Sequence, residues 1–499
     1  MTASDAMSEH SSKAAQILQD DLTPARNSLP ISAKLDRFAQ NLSRLATMDR
    51  LSVPGASCFD AVFGVYTSLR RLYDHERHAA EVLLENRSEE VVNRHVLRKK
   101  SGYPNMHVRN TVGLSVDYWS GSSAASSAER PAKRQKVDND MDIDIEHKAP
   151  ITKTQYDDTH GLIVECEVSP PALYTPIRIS SEWISERIIK PSEEHDLAET
   201  LMIDDVSQNP IFDWLDPPAA IVSSADGDGQ VANNSSQSQP HVRFVAKLQP
   251  PVAVPLHVAA QIYSSLGINI AQDILPTEPL LDLIMPSFKH TAGADEVRQL
   301  HVLRRVGALA QEEDMERDDK IRLFWTKPEM AIRLETLPFA HPRELIQLLP
   351  VLRQYAFVQR LLQNTYASSA TAPGTSIAAT GPGKSYSKAP ARMRKGDEEG
   401  LAALLASSRQ QRRILDVSFT TTPAPQVTLA LTSKQGLKKA TFNILPNADV
   451  EILSQDIISD IDEDDDRRRK RVQALAQALE TCEDLGIWAA WVRKHYLQM

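Results

Sequence analysis

The sequence predicts an α+β fold: an N-terminal helical hairpin, mixed β-sheet regions with packed helices, disordered insertions, and a C-terminal β-meander and helix. Three observations predict it. Apolar residues recur at three- and four-residue steps near both ends and in the middle of the chain. Elsewhere they alternate with polar residues in short runs, the period of a strand. Stretches rich in serine, proline and charge separate these patterned blocks, and such stretches lack the apolar surface to fold.

Residues 1–30 are polar and are expected to be a disordered N-terminus. The block 31–119 should be a helical hairpin plus a strand. Leu35, Phe38, Leu42 and Leu45 form the first apolar stripe, with Ser32 as its N-cap. Phe59, Val62, Phe63, Tyr66, Leu69, Leu72 and Tyr73 form the second, which runs on to about Leu84 beyond the Pro54-Gly55 turn. Val112, Leu114 and Val116 then alternate as in a strand. Residues 120–155 are serine-rich, then basic, then acidic, and read as a disordered insertion.

The block 156–366 reads as a mixed α/β core with a loop at 223–240. Leu162, Val164, Cys166 and Val168 alternate, and "SEWISERII" after them suits a short helix or turn. The run 241–268 predicts a strand, a proline turn and a helix that Pro255 opens and Gly267 ends. Residues 322–339 look like two short strands. The strongest helical signal is 341–366, where Pro350 should break or kink the helix. A flexible linker at 367–398 follows. The meander at 399–458 sets Leu415, Val417 and Phe419 against Val427, Leu429 and Leu431, and then Phe442 and Ile444. A charged linker at 459–471 and an amphipathic helix at 472–499 complete the chain.

Composition narrows the function. A net charge of −10 argues against a direct nucleic-acid binder, which needs a positive footprint. No apolar run approaches the roughly 18 residues of a membrane span. Cys58, Cys166 and Cys482 lie far apart, so neither a disulfide framework nor a cysteine zinc site is expected, which suits a reducing compartment.

One stretch has nucleotide-loop spacing: "AATGPGKS", with Ala378 in place of the first glycine and Lys384 at the phosphate-binding position. A working loop needs a buried strand before it and a helix after it. Neither pattern flanks this one, so Lys384 reads as a solvated charge, and nucleotide binding stays the rival reading. His75 and His78 lack the four-residue spacing that puts two imidazoles on one zinc. His341 reads as a turn or capping residue. No catalytic, cofactor or metal constellation is expected, and no small-molecule substrate.

Binding signals are clearer. Arg130, Lys133, Arg134 and Lys136 surround a proline in the first insertion, where an extended basic segment suits an import receptor. The run Arg467–Arg471 is a weaker candidate. Two LxxLL matches occur. In "LIQLL" (345–349) the leucines belong to a broad stripe and should be core; Leu401, Leu404 and Leu405 follow a linker and suit an exposed docking helix. Trp488 and Trp491 are candidate partner-facing anchors, since tryptophan often carries interface energy; burial against their own domain is the alternative.

Several ordered blocks resemble the Mediator of RNA polymerase II transcription subunit 1 family. "FVAKLQPPVAVPLHVAAQIYSSLGI" is similar to its strand, paired prolines and helix. Pro338, Phe339, His341 and Pro342 match its "PF-x-HP" start to a long helix, and the meander follows at the expected place. "NTVGLSVDYW" and "LYTPIRISSEWI" resemble fungal members. The resemblance implies a non-enzymatic coactivator in the middle module of the Mediator complex. Its partners would be other Mediator subunits, with DNA-bound regulators and RNA polymerase II reached indirectly, and its place the nucleus. Animal members carry receptor-binding LxxLL boxes in a long C-terminal tail, so that property does not pass to "LIQLL". The segment before the first predicted helix is short for the family. The rival from outside transcription is a cytosolic scaffold.

Overall fold

The computed structural model describes residues 3–22, 31–52, 57–85, 87–108, 110–121, 159–169, 180, 182–190, 211–217, 242–268, 276–286, 298–305, 318–325, 329–367, 413–433, 436–458 and 465–497. The fold is α+β, and the chain forms two compact units.

Four helices open the first unit: α1 (Ala3–Leu22), α2 (Ile31–Leu51), α3 (Cys58–Leu83) and α4 (Glu89–Lys99). Helix α1 occupies a stretch whose polar composition predicts a loose segment. Few apolar positions hold it, but Ile17 is buried and the carboxylate of Asp21, also buried, accepts from Arg37 Nε of α2 at 2.7 Å. That ion pair links residues too distant for a local pattern to reveal. Ser32 lies within α2 rather than at its cap, because the helix already begins at Ile31.

Helix α3 follows its predicted stripe. Ser57 Oγ accepts from the Asp60 amide, satisfying one of the free N–H groups of the first turn. Val62, Val65, Leu69, Leu72 and Tyr73 are buried. Helix α4 has few apolar residues in a charged stretch and escapes the periodicity test. It forms because Val92 and Val96 pack on Tyr73 and Ala80 of α3.

The sheet of this unit comprises β1 (Tyr103–Met106), β2 (Leu114–Ser120), β3 (Thr159–Val168) and β6 (Val242–Pro255), adjoined by β10 (Met330–Phe339), in the order β1-β2-β3-β6-β10. The first three pairings are antiparallel, with Leu114 opposite Val164 and Val164 opposite Ala246. The strand β6 runs unbroken past Pro250 and Pro251, where the paired prolines predict a turn. Helix α5 (Leu256–Ser265) starts directly after Pro255 and ends before Gly267, whose φ of +70° suits glycine. The stretch expected to be a short helix or turn is instead β4 (Ile184–Ile189), paired with β5 (Phe212–Trp214). Its mixed residues carry no clear period, and the partner strand decides its form.

Helix α7 (Pro342–Ala367) continues past Pro350 as one helical span rather than breaking there. Its first turn is doubly capped: Glu344 Oε2 accepts from the Ala340 amide at 2.8 Å and the His341 amide at 3.3 Å, and His341 Nδ1 accepts from the Arg343 amide at 2.9 Å. The unit boundary falls after Ala356 within this helix and before Ile332 within β10.

The second unit holds β7 (Glu278–Pro279), which pairs with Met330 and Ala331, α6 (Leu280–Ile284), and a six-stranded sheet. The sheet contains β8 (Arg298–Arg305), β9 (Asp318–Trp325), β11 (Arg413–Thr420), β12 (Gln426–Ser433), β13 (Gly436–Ile444) and β14 (Val450–Gln455), in the order β14-β13-β12-β11-β9-β8. The meander register is the one the pattern predicts: Leu415 faces Leu431, Val417 faces Leu429, and Val427 faces Phe442. Beyond it, β9 joins β11 in parallel, and Arg322 pairs with Asp416 across that junction. Two helices then follow, α8 (Asp465–Cys482) and α9 (Leu485–His495), where one terminal helix is expected. Asp465 and Asp466 in the first turn of α8 suit the positive end of its dipole. Glu483, at φ +49°, breaks the path, and Asp484 caps α9 by accepting from the Gly486 and Ile487 amides at 2.8 and 3.0 Å.

Candidate functional site

The buried polar groups do structural work. His341 is buried against Trp183 and Trp214, both edge-on at 5.0 and 5.5 Å. With Nδ1 accepting from Arg343, its Nε2 donates to the Leu215 carbonyl at 3.0 Å, which is the neutral tautomer. Burial keeps its pKa below the ordinary value. Glu76, between His75 and His78 in sequence, turns inward and accepts from the Ser101 amide at 2.8 Å. Burial raises its carboxyl. Arg353 of α7 is fully buried, donating from Nε to the Tyr118 carbonyl at 2.9 Å and also to the Lys100 carbonyl. Desolvation brings it down to about 9, against the pull of Glu76. Sequence reasoning passed over Glu76, Arg353 and Asn41, because their partners come from other elements. His78 sits on the surface, 3.8 Å from Glu81. Among the described residues no three His, Cys, Asp or Glu side chains gather as metal ligands would. Among them, too, no helix is long and apolar enough to cross a membrane.

The surface is more informative. Helix α2 turns Lys34, Asn41, Met48 and Leu51 inward. Its predicted stripe lies elsewhere: Leu35 and Leu42 are 50% and 48% exposed, with Phe38 and Leu45 half-buried between them. Residues 35, 38, 42 and 45 keep the alternating three-four spacing of a helix that packs lengthwise on another helix. A second exposed set, Val82, Leu83 and Val91, marks the tip of the α3–α4 hairpin. Such residues invite burial against a partner.

The candidate anchors of the terminal helix separate. Trp488 is wholly buried, its Nε1 donating to the Leu475 carbonyl at 3.0 Å and its ring edge-on to Phe442 at 5.2 Å. It is a core residue of the second unit, because the turn at Glu483 folds α9 back onto α8. Trp491 is half-buried against His495 and Tyr496. The leucines of "LIQLL" are buried in α7. The basic run Arg467–Arg471 lies within α8, so it is helical rather than extended. Arg130, Lys133, Arg134 and Lys136, the loop with Lys384, and Leu401, Leu404 and Leu405 lie outside the described residues.

A family model described as Mediator of RNA polymerase II transcription subunit 1 matches residues 2–367, most of the chain. The chain belongs to the Mediator subunit 1 family. It is therefore a Mediator complex subunit and a transcription coregulator. Membership implies association with other Mediator subunits and a place in the nucleus. No curated protein matches the chain. The Mediator match begins within the N-terminal segment that looked short for the family and takes in α1. Both exposed apolar sets lie inside it, whereas the meander strands, α8 and α9 lie beyond it.

Proposed function

We propose that this chain is a non-enzymatic, fungal-type Mediator subunit of the middle module, which docks other subunits through the exposed helical faces of its family-matched block. The observation that carries the reading is the stripe Leu35, Phe38, Leu42 and Leu45. It has the spacing of a helix-packing seam, stands half exposed, and sits in a family whose members work inside an assembly. Through that assembly the subunit relays signals from DNA-bound regulators to RNA polymerase II. Direct DNA contact is no part of this reading, in line with the net charge of −10. Arg130, Lys133, Arg134 and Lys136 carry nuclear import, and Trp491, Leu401, Leu404 and Leu405 are secondary contacts.

Affinity purification of the tagged chain from its own cells tests the docking. The intact chain brings down Mediator subunits. Leu35→Ser/Leu42→Ser brings down at least several-fold less while remaining folded by circular dichroism. Equal recovery with the double variant overturns the assignment of the seam.

A further inference from the structure

The terminal helix pair lies beyond the family-matched block and carries a face of its own. Helix α9 buries Leu485, Trp488, Ala489 and Val492. Arg493, also buried, donates to the Ile414 carbonyl of β11 at 3.2 Å and so fixes the rotation of the helix about its axis. Residues spaced four and then three apart share one side of a helix. Ile487, Trp491 and Lys494 have that spacing and fall on the side away from the core: Ile487 and Lys494 are exposed and Trp491 is half-buried. This side is apolar where α9 starts and basic where it ends.

Helix α8 adds charge to the basic end. The two helices run antiparallel, with Trp488 bonded to the Leu475 carbonyl and the Arg471 guanidinium 5.1 Å from the centre of the Tyr496 ring. The same Tyr496 ring meets Trp491 edge-on at 5.5 Å, so the start of α8 and the end of α9 form one continuous surface. Arg467, Lys470 and Arg471 share a face of α8 by their three- and four-residue spacing. Arg467 and Lys470 are exposed. Among the described residues no ion pair takes up Arg467, Lys470 or Lys494. Asp465 and Asp466 precede the run, but five basic residues follow these two acidic ones. A local positive surface therefore stands in a chain whose net charge is −10.

We propose that this face of α8 and α9 docks a short acidic peptide segment with an apolar anchor. The apolar side chain of the partner covers Ile487 and Trp491, and its carboxylates meet Lys494, Lys470 and Arg467, where charge-assisted hydrogen bonds fix its direction. The positive surface sets the sign of the partner. The apolar end selects a peptide over a nucleic acid, which presents a phosphate at every step and no aliphatic chain to cover Ile487. The remainder of the chain selects against a polyanion as well. Charges act over about 8–10 Å in ordinary salt, so a short peptide senses the patch, whereas a long polyanion runs on into negative surroundings. The proposal refines the secondary contact assigned above to Trp491. It does not depend on the α2 stripe, which belongs to the other unit.

The test uses the purified full-length chain and fluorescence anisotropy. The probe is a fluorescein-labelled synthetic peptide with a leucine–phenylalanine pair followed by a run of aspartates. It binds, and binding weakens as salt rises. Arg467→Ser/Lys470→Ser and, separately, Ile487→Ser each weaken it about tenfold or more while the fold is unchanged by circular dichroism. Serine in place of the leucine–phenylalanine pair weakens it comparably, and lysine in place of the aspartates abolishes it. Leu35→Ser/Leu42→Ser leaves it unchanged, which separates this face from the α2 stripe. The proposal fails if the variants of α8 and α9 bind the probe as the intact chain does. It fails if single-stranded oligothymidylate binds more tightly than the peptide, which makes the patch a nucleic-acid surface. It fails, too, if the peptide binds only after Asp462→Asn/Glu463→Gln/Asp464→Asn, because the occupant is then the chain's own acidic run.

Discussion

Helices α7 and α2 carry the same kind of apolar stripe and meet opposite fates. In α7 the predicted face is the buried face: Leu345, Leu348, Leu349, Leu352, Tyr355 and Leu362 are all buried. In α2 the predicted face is the half-exposed one, and the buried face sets polar Lys34 and Asn41 beside Met48 and Leu51. Asn41 explains the difference. Its Oδ1 accepts from the Val112 amide at 3.0 Å, and its Nδ2 donates to the Asn110 carbonyl at 2.8 Å. Helix α2 thus spends its inward side fastening the turn before β2, and Asp21 of α1 lies beside the same amide. Periodicity shows that a helix has two faces. Which face turns inward depends on what the neighbours leave unsatisfied.

The most severe way to break the comparison is to cut into α7. Leu349→Ala removes a buried side chain from close-packed surroundings and is expected to cost about 2–5 kcal/mol, read as a lowered urea midpoint. Asn41→Ala should cost about 1–3 kcal/mol, because it strands the buried Val112 amide rather than apolar surface. Equal destabilisation by the two would place Asn41 in an ordinary core and erase the contrast.

A pH series sharpens it further. His107 lies in the turn that Asn41 fastens, where its Nδ1 accepts from the Gly113 amide at 3.3 Å. Burial, with His10 and Lys13 nearby, brings its pKa from the ordinary 6.5 to about 4. The folded state thus disfavours the charged ring, while the unfolded chain protonates it readily. Stability from this group is intact above pH 6.5 and drains away as pH falls to about 4. The loss is about 1–2 kcal/mol after discounting for a partly solvated ring. His107→Asn keeps an acceptor and tolerates the local φ of +55°, so it should flatten the slope in that window. An unchanged slope would assign the dependence to other groups. The smallest expected effect is on the stability of Leu35→Ser/Leu42→Ser, within about 0.5 kcal/mol per site, since exposed apolar groups gain little from folding.

Much of the fold was legible in sequence. Helix α3, helix α7 and the three meander strands stand where side-chain period puts them, although α7 continues through Pro350, because each draws its pattern from one continuous run. Helices α1 and α4 were not legible: α1 is held by an ion pair to α2, and α4 by two valines that need Tyr73 and Ala80 opposite them. The proposed docking faces were half legible. The α2 stripe was visible, its exposure was not, and of the two roles open to Trp488 the fold gives it the core one.

By itself the sequence determined the helical or extended form of α3, α7 and the meander strands, and through ordered blocks the family. Those are short-range properties, written into side-chain period, turn chemistry and residue order. The tertiary structure alone decided which face of α2 is exposed, that β9 joins the meander sheet, and that Arg353 of α7 reaches the Tyr118 carbonyl. Each depends on groups distant in sequence whose desolvation and pairing are settled only when the neighbouring element arrives.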